Sequence, residues 1–152
     1  MDKIKNFNEN YSTEIHRLLI AVNLVCIVIF CFAKNSYDIC DKTSDPTNLK
    51  NMKNGIDTII TIQAIMIAIS VMSHSDKIMT IEIIKQYIIP VQVILMIIMM
   101  LGGFATVLGS INKLKEQDKD KYNDLYNISY VIVFVYLAIV VFLISTSLAS
   151  MM

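Results

Sequence analysis

Four stretches of this chain contain no Asp, Glu, Lys or Arg: residues 18–33, 58–73, 86–112 and 125–152. Every formal charge lies before or between them. A water-soluble helical domain distributes charge along the outer face of each helix, so a chain with charge-free segments and charged joints is one whose segments are solvated by lipid. A lipid-embedded backbone must satisfy its own hydrogen bonds, and helices do so within one segment. The expected fold is therefore all-α: a polytopic integral membrane protein with four transmembrane helices in a single bundle domain.

Composition agrees. Of the 152 residues, 55% are hydrophobic and only 17% charged, below the roughly 25% charged content of an ordinary soluble domain. The net charge is zero, which gives no electrostatic basis for binding nucleic acid. Arg17 is the only arginine, Trp is absent, and Ile, Lys, Asn and Met are frequent. That bias is common in AT-rich genomes, large DNA viruses among them.

The spans are expected at about 13–35, 57–73, 80–112 and 122–150. The first two charge-free runs, of sixteen residues each, are barely long enough to cross, whereas the last two exceed what a bilayer of about 30 Å requires. The pattern reads as two short helices followed by two long ones. The polar flank before Leu18 is long for a cleaved signal, so the first run reads as a retained span. Within that flank Ile4, Phe7, Tyr11 and Leu18 recur at helical spacing, with Ile15 adjacent. They form either an amphipathic helix in the headgroup layer or the first turns of a longer first helix. Asp45-Pro46, followed by Gly55, carries the signature of a short loop helix, with Asp45 as N-cap, Pro46 at N1 and Gly55 as C′.

His74-Ser75-Asp76-Lys77 makes a tight link between the second and third spans. Pro90 predicts a kink near Gln86. Residues 110–124 are highly charged and form a hairpin expected to project beyond the lipid. Counting only basic residues, five on the side of the termini against eight on the other tilts the two larger loops, at 34–57 and 110–124, toward the cytoplasm.

Chemistry-bearing motifs are sparse. Cys26 and Cys31 lie about 140° apart around a helix and cannot bridge each other; Cys40 could reach Cys31 only if its loop folds back. There is no HExxH, GxSxG or P-loop, and no catalytic residue, metal ligand or cofactor is expected. The polar residues deep in the spans are the amides Asn23, Gln63 and Gln92. An amide in lipid must find partners, so these three are candidates either for hydrogen bonds between helices or for a polar path. Gly102, Thr106 and Gly109 share a face of the third span and are candidates for close helix packing. Tyr122, Tyr126 and Tyr130, four residues apart, are candidates for interfacial anchors.

The function expected from these features is structural: a small subunit that anchors or builds a larger membrane assembly. Its concrete form would be a large-DNA-virus virion membrane protein beneath the capsid. The partners are the lipid bilayer and other membrane or capsid proteins, met through the 40–57 loop and the 110–124 hairpin. Alternatives are a small oligomeric channel and an accessory subunit of a respiratory or transport complex.

Overall fold

The computed structural model describes residues 2–39, 45–73 and 82–149; for 2–13, 15, 38, 39, 82–86 and 146–149 it describes the backbone alone. The helices are α1 (Asp2–Ile39), α2 (Pro46–Ser73), α3 (Glu82–Ile98), α4 (Ala105–Lys115) and α5 (Lys119–Ala149). A π-helical segment, Met99–Phe104, joins α3 to α4 without a break, so α3, the π segment and α4 are one third span. Among the described residues there is no strand. Four helical segments are long and apolar enough to cross a membrane: His16–Tyr37, Pro46–Ser73, Tyr87–Lys115 and Lys119–Ser145. The all-α four-helix architecture is thus the one the charge pattern predicts.

The N-terminal polar flank continues α1 rather than forming a helix of its own. Its apolar stripe, like the His74–Lys77 link and Cys40, lies outside the described side chains or residues. Two expectations change. The Asp45-Pro46 start is correct: Asp45 Oδ1 accepts from the Asn48 N–H at 3.0 Å, and its carbonyl accepts from the Leu49 N–H at 3.2 Å. But the helix does not stop at Gly55. It runs on to Ser73, so the expected loop helix is the first part of α2. The contrast of short and long spans disappears with it, because the last three spanning segments have 28, 29 and 27 residues. At about 1.5 Å per residue each is near 40 Å, some 10 Å more than the hydrocarbon needs.

Gly55 is not a terminator because its missing side chain has a different use. It is buried where α2 crosses the third span. A Cβ there would lie 2.8 Å from Val107 Cγ2 and 3.1 Å from the Gly103 carbonyl oxygen. Across the same crossing a Cβ on Gly103 would lie 2.5 Å from Ile59 Cγ1. Two glycines face to face let the backbones approach, and close approach gives a membrane bundle its dispersion energy.

The helices form a ring. α1 packs on α2, α2 on the third span, and the third span on α5. The ring closes between α1 and α5 through large side chains. Tyr37 stacks on Tyr122 with centroids 5.2 Å apart, and its hydroxyl donates to the Lys121 carbonyl at 3.0 Å. Phe30 meets Phe104 edge-on across the core at 5.6 Å. Gly103 and Phe104 are consecutive yet both buried. The wide π turn brings them both inward, Gly103 toward α2 and Phe104 toward α1 and α5.

Outer faces are apolar to an extent that water would not tolerate: Leu101 is 74% exposed, Phe32 70% and Phe134 65%. The upper limit of this apolar belt is marked by Lys34, whose ammonium lies 2.6 Å from Asp57 on α2. Beyond it the end of α1, the start of α2, the end of α4 and the start of α5 form a packed head. Leu49, Met52, Ile111, Leu114, Tyr122 and Leu125 are all buried there. The 110–124 hairpin is therefore part of a four-helix head rather than a lone projection. Its turn is short: the N–H groups of Gln117 and Asp118 both donate to the Leu114 carbonyl at 3.1 Å.

Candidate functional site

Asn23, Gln63 and Gln92 are each completely buried in the bundle. Depth explains the first two. Asn23 lies eleven residues below Lys34 on α1, about 16 Å at the helical rise, which is the middle of a hydrocarbon layer of about 30 Å. No water or headgroup is available there, so the amides turn inward.

Their common partner is Tyr136 of α5, also completely buried. Its hydroxyl donates to Asn23 Oδ1 at 2.6 Å and accepts from Gln63 Nε2 at 3.1 Å. Asn23 Nδ2 donates in turn to the Leu19 carbonyl at 2.7 Å. The Cys26 thiol is beside both Tyr136 and Gln63. One phenol thus links α1, α2 and α5 at the centre of the bundle, across the α2–α5 diagonal where backbones are far apart.

A second link lies nearer the end that carries the chain termini. Gln92 Nε2 of α3 donates to Ser70 Oγ of α2 at 2.8 Å, and Ser73 Oγ donates to the Ser70 carbonyl at 2.6 Å. His16 of α1 is buried in the same half of the core. Every group in these two links is formally neutral, and they hold helices together by hydrogen bonds worth about 0.6–2 kcal/mol each in a membrane. The bonding is incomplete: Gln63 Oε1 and Gln92 Oε1 are buried without a partner. Among the described residues no group of three His, Cys, Asp or Glu could hold a metal ion.

The structure brings the three amides into contacts between helices, but it does not bring the small-residue candidates into the core. Gly102 and Gly109 are exposed, with nothing within 4 Å of the position of a Cβ, and Thr106 is exposed with its hydroxyl bonded to the Gly102 carbonyl at 2.6 Å. Within this chain the packing glycines are Gly55 and Gly103. The expectation placed the wrong face of the third span inward because all its faces are apolar and local spacing does not rank them. Ala64, Ala68, Ala138 and Ser145 also face outward.

The tyrosine series is similarly divided. Tyr122 is 1% exposed and stacks inside the head, so it is not a lipid-facing anchor. Tyr126 is half-buried and carries the Lys115 ammonium 3.9 Å from its ring centre. Tyr130 is exposed and meets Tyr126 edge-on at 4.8 Å. A helix turning about 100° per residue drifts about 40° every four residues, which carries the series from core to surface.

Sequence reasoning passed over Tyr136 and Ser70. A signal existed for Tyr136: it sits more than ten residues from either end of its charge-free stretch, too deep for its hydroxyl to reach the interface, so it needs an internal partner. Ser70 carries no such signal, because a lone serine in a span can bond its own helix. Comparison of the chain with protein families, with curated proteins and with solved structures returns no match.

Proposed function

We propose that this chain is a structural membrane protein, a small subunit that anchors or builds a larger membrane assembly. The observation that carries this reading is where the polar capacity goes. The deep amides are engaged in bonds that hold α1, α2, α3 and α5 to one another, while the small-residue strip Gly102, Thr106 and Gly109 is left on the outside. A bundle that is tied internally and smooth externally suits lateral packing against lipid and neighbouring membrane proteins. The described parts of the two contact segments, 45–57 and 110–124, come together in one head, which would meet partners in water. If the AT-rich composition bias is that of a large DNA virus, rather than of a protist or a low-GC bacterium, the concrete setting is a virion membrane beneath a capsid. No enzymatic role is proposed.

A second reading, a small oligomeric channel, draws on the unpaired Gln63 and Gln92 oxygens in the core. Against it, Phe30, Phe104, Tyr37 and Tyr122 fill the core toward the head. Two measurements separate the readings. Purification from the native membrane in mild detergent, followed by mass spectrometry, should recover membrane or capsid proteins in fixed ratio, and Lys113→Glu with Lys119→Glu should reduce that recovery. Ion flux in liposomes carrying the purified chain, abolished by Gln92→Leu, would overturn the structural reading in favour of the channel.

A further inference from the structure

The core of this bundle has two unlike halves. Toward the head it is filled by Phe30, Ile56, Ile59, Phe104, Ile111 and Tyr122. Toward the termini the inward positions carry Asn23, Cys26, Gln63, Ser70, Ser73 and Gln92 among apolar side chains that include Leu19, Met66, Met96 and Leu143. In that second half two amide oxygens, Gln63 Oε1 and Gln92 Oε1, are buried and accept nothing from the protein. Their own amide nitrogens are engaged, with Tyr136 and Ser70 respectively, so rotating either amide would exchange one unpaired atom for another. An unsatisfied buried acceptor gives up its hydration with nothing in return, and native proteins retain few.

We infer that each of these oxygens is a binding site for one water molecule, on the terminal side of a core closed by the Phe30–Phe104 layer. Both orphan atoms are acceptors, so the ligand must donate. The nearest polar side chains, Tyr136, Asn23, Ser70, Ser73 and Cys26, are neutral, so none of them balances an ion. A small polar side chain adjoins each amide, Cys26 beside Gln63 and Ser70 beside Gln92. Such a polar site suits water, which is the usual partner of such atoms; folded proteins carry about one buried water per 27 residues. Entry would be from the terminal end.

The test uses the unaltered chain in lipid bilayers. Solid-state NMR records how quickly magnetisation passes from water to individual side chains. Transfer to the Gln63 and Gln92 side-chain amides should build up several-fold faster than transfer to Ile59 and Phe104. Build-up at both amides as slow as at Ile59 would overturn the two sites. Equally fast build-up at Phe30 and Phe104 would overturn the closure, because water would then cross the aromatic layer.

Discussion

The head-side half of the bundle and its terminal half are built from the same four helices, yet they are held together differently. On the head side, contact is apolar and close: glycines at the α2 crossing, a ring stack between α1 and α5, an edge-on phenylalanine pair. In the terminal half hydrogen bonds among neutral groups are added to the apolar contacts of Leu19, Met66, Met96 and Leu143. The difference follows from surroundings. The head core is near water and can leave charged atoms at its rim, so its interior needs only to fill space. At the bilayer midplane lipid competes with protein for every apolar contact, and a bond between polar groups adds a preference that lipid cannot match.

The comparison can be broken at the α2 crossing first, where the largest effect is expected. Gly55→Ala places a methyl 2.8 Å from Val107 Cγ2 and 3.1 Å from the Gly103 carbonyl oxygen, with backbone on one side unable to yield. Overpacking of this kind costs about 1–3 kcal/mol. Gly102→Ala, one residue from the crossing but facing open space, should leave stability unchanged or raise it by up to about 1 kcal/mol through helix propensity. Unfolding in mixed micelles by added denaturing detergent measures both. Equal losses would show that the two faces of the third span have been assigned wrongly.

Removing one hydroxyl from each half sharpens the contrast. Tyr136→Phe strands Asn23 Oδ1 and leaves Gln63 Nε2 without its acceptor at the membrane centre. A loss of about 1–3 kcal/mol is expected. Tyr122→Phe removes a buried hydroxyl that has no partner and keeps the ring stacked on Tyr37, so it should be neutral or mildly stabilising. The same unfolding assay should rank the two variants clearly. If Tyr122→Phe were the costlier, the polar half would not be the one that depends on hydrogen bonds.

The smallest effect is electrostatic and confined to the head. The Asn48 N–H, and then its side-chain amide, hold the Asp45 carboxylate below the ordinary carboxylate range. A carboxyl depressed by folding contributes stability that is present above its unfolded value, about 3.9, and is lost as pH falls through the depressed one. Hydrogen exchange at the Asn48 amide should therefore be protected at neutral pH and should lose that protection on acidification. Asp45→Ala should remove the pH dependence while leaving the exchange of residues near Ser70 unaltered.

The four spans were legible because charge exclusion from lipid acts on residue type alone, and it needs no partner. The start of α2 was legible for a similar reason: Asp45-Pro46 satisfies a helix end locally. Gly55 misled because a glycine after an amphipathic turn has two physical uses, and the local chain does not distinguish a terminator from a crossing point. The amides were recognisable as groups in need of partners, but their partner was not. Tyr136 is adjacent to them only once α1, α2 and α5 surround a common axis.

By itself, then, the sequence determined which segments are dissolved in lipid, where α2 begins, and that Asn23, Gln63 and Gln92 must be satisfied internally. These follow from transfer free energies and local backbone needs, which each residue carries with it. Tertiary structure alone decided which face of the third span turns inward, that Gly103 rather than Gly102 meets α2, that Tyr122 is core while Tyr130 is surface, and that one phenol ties three helices together. In a span whose faces are all apolar, hydrophobicity does not choose among rotations of the helix. Packing shape and a few hydrogen bonds choose, and both exist only between helices.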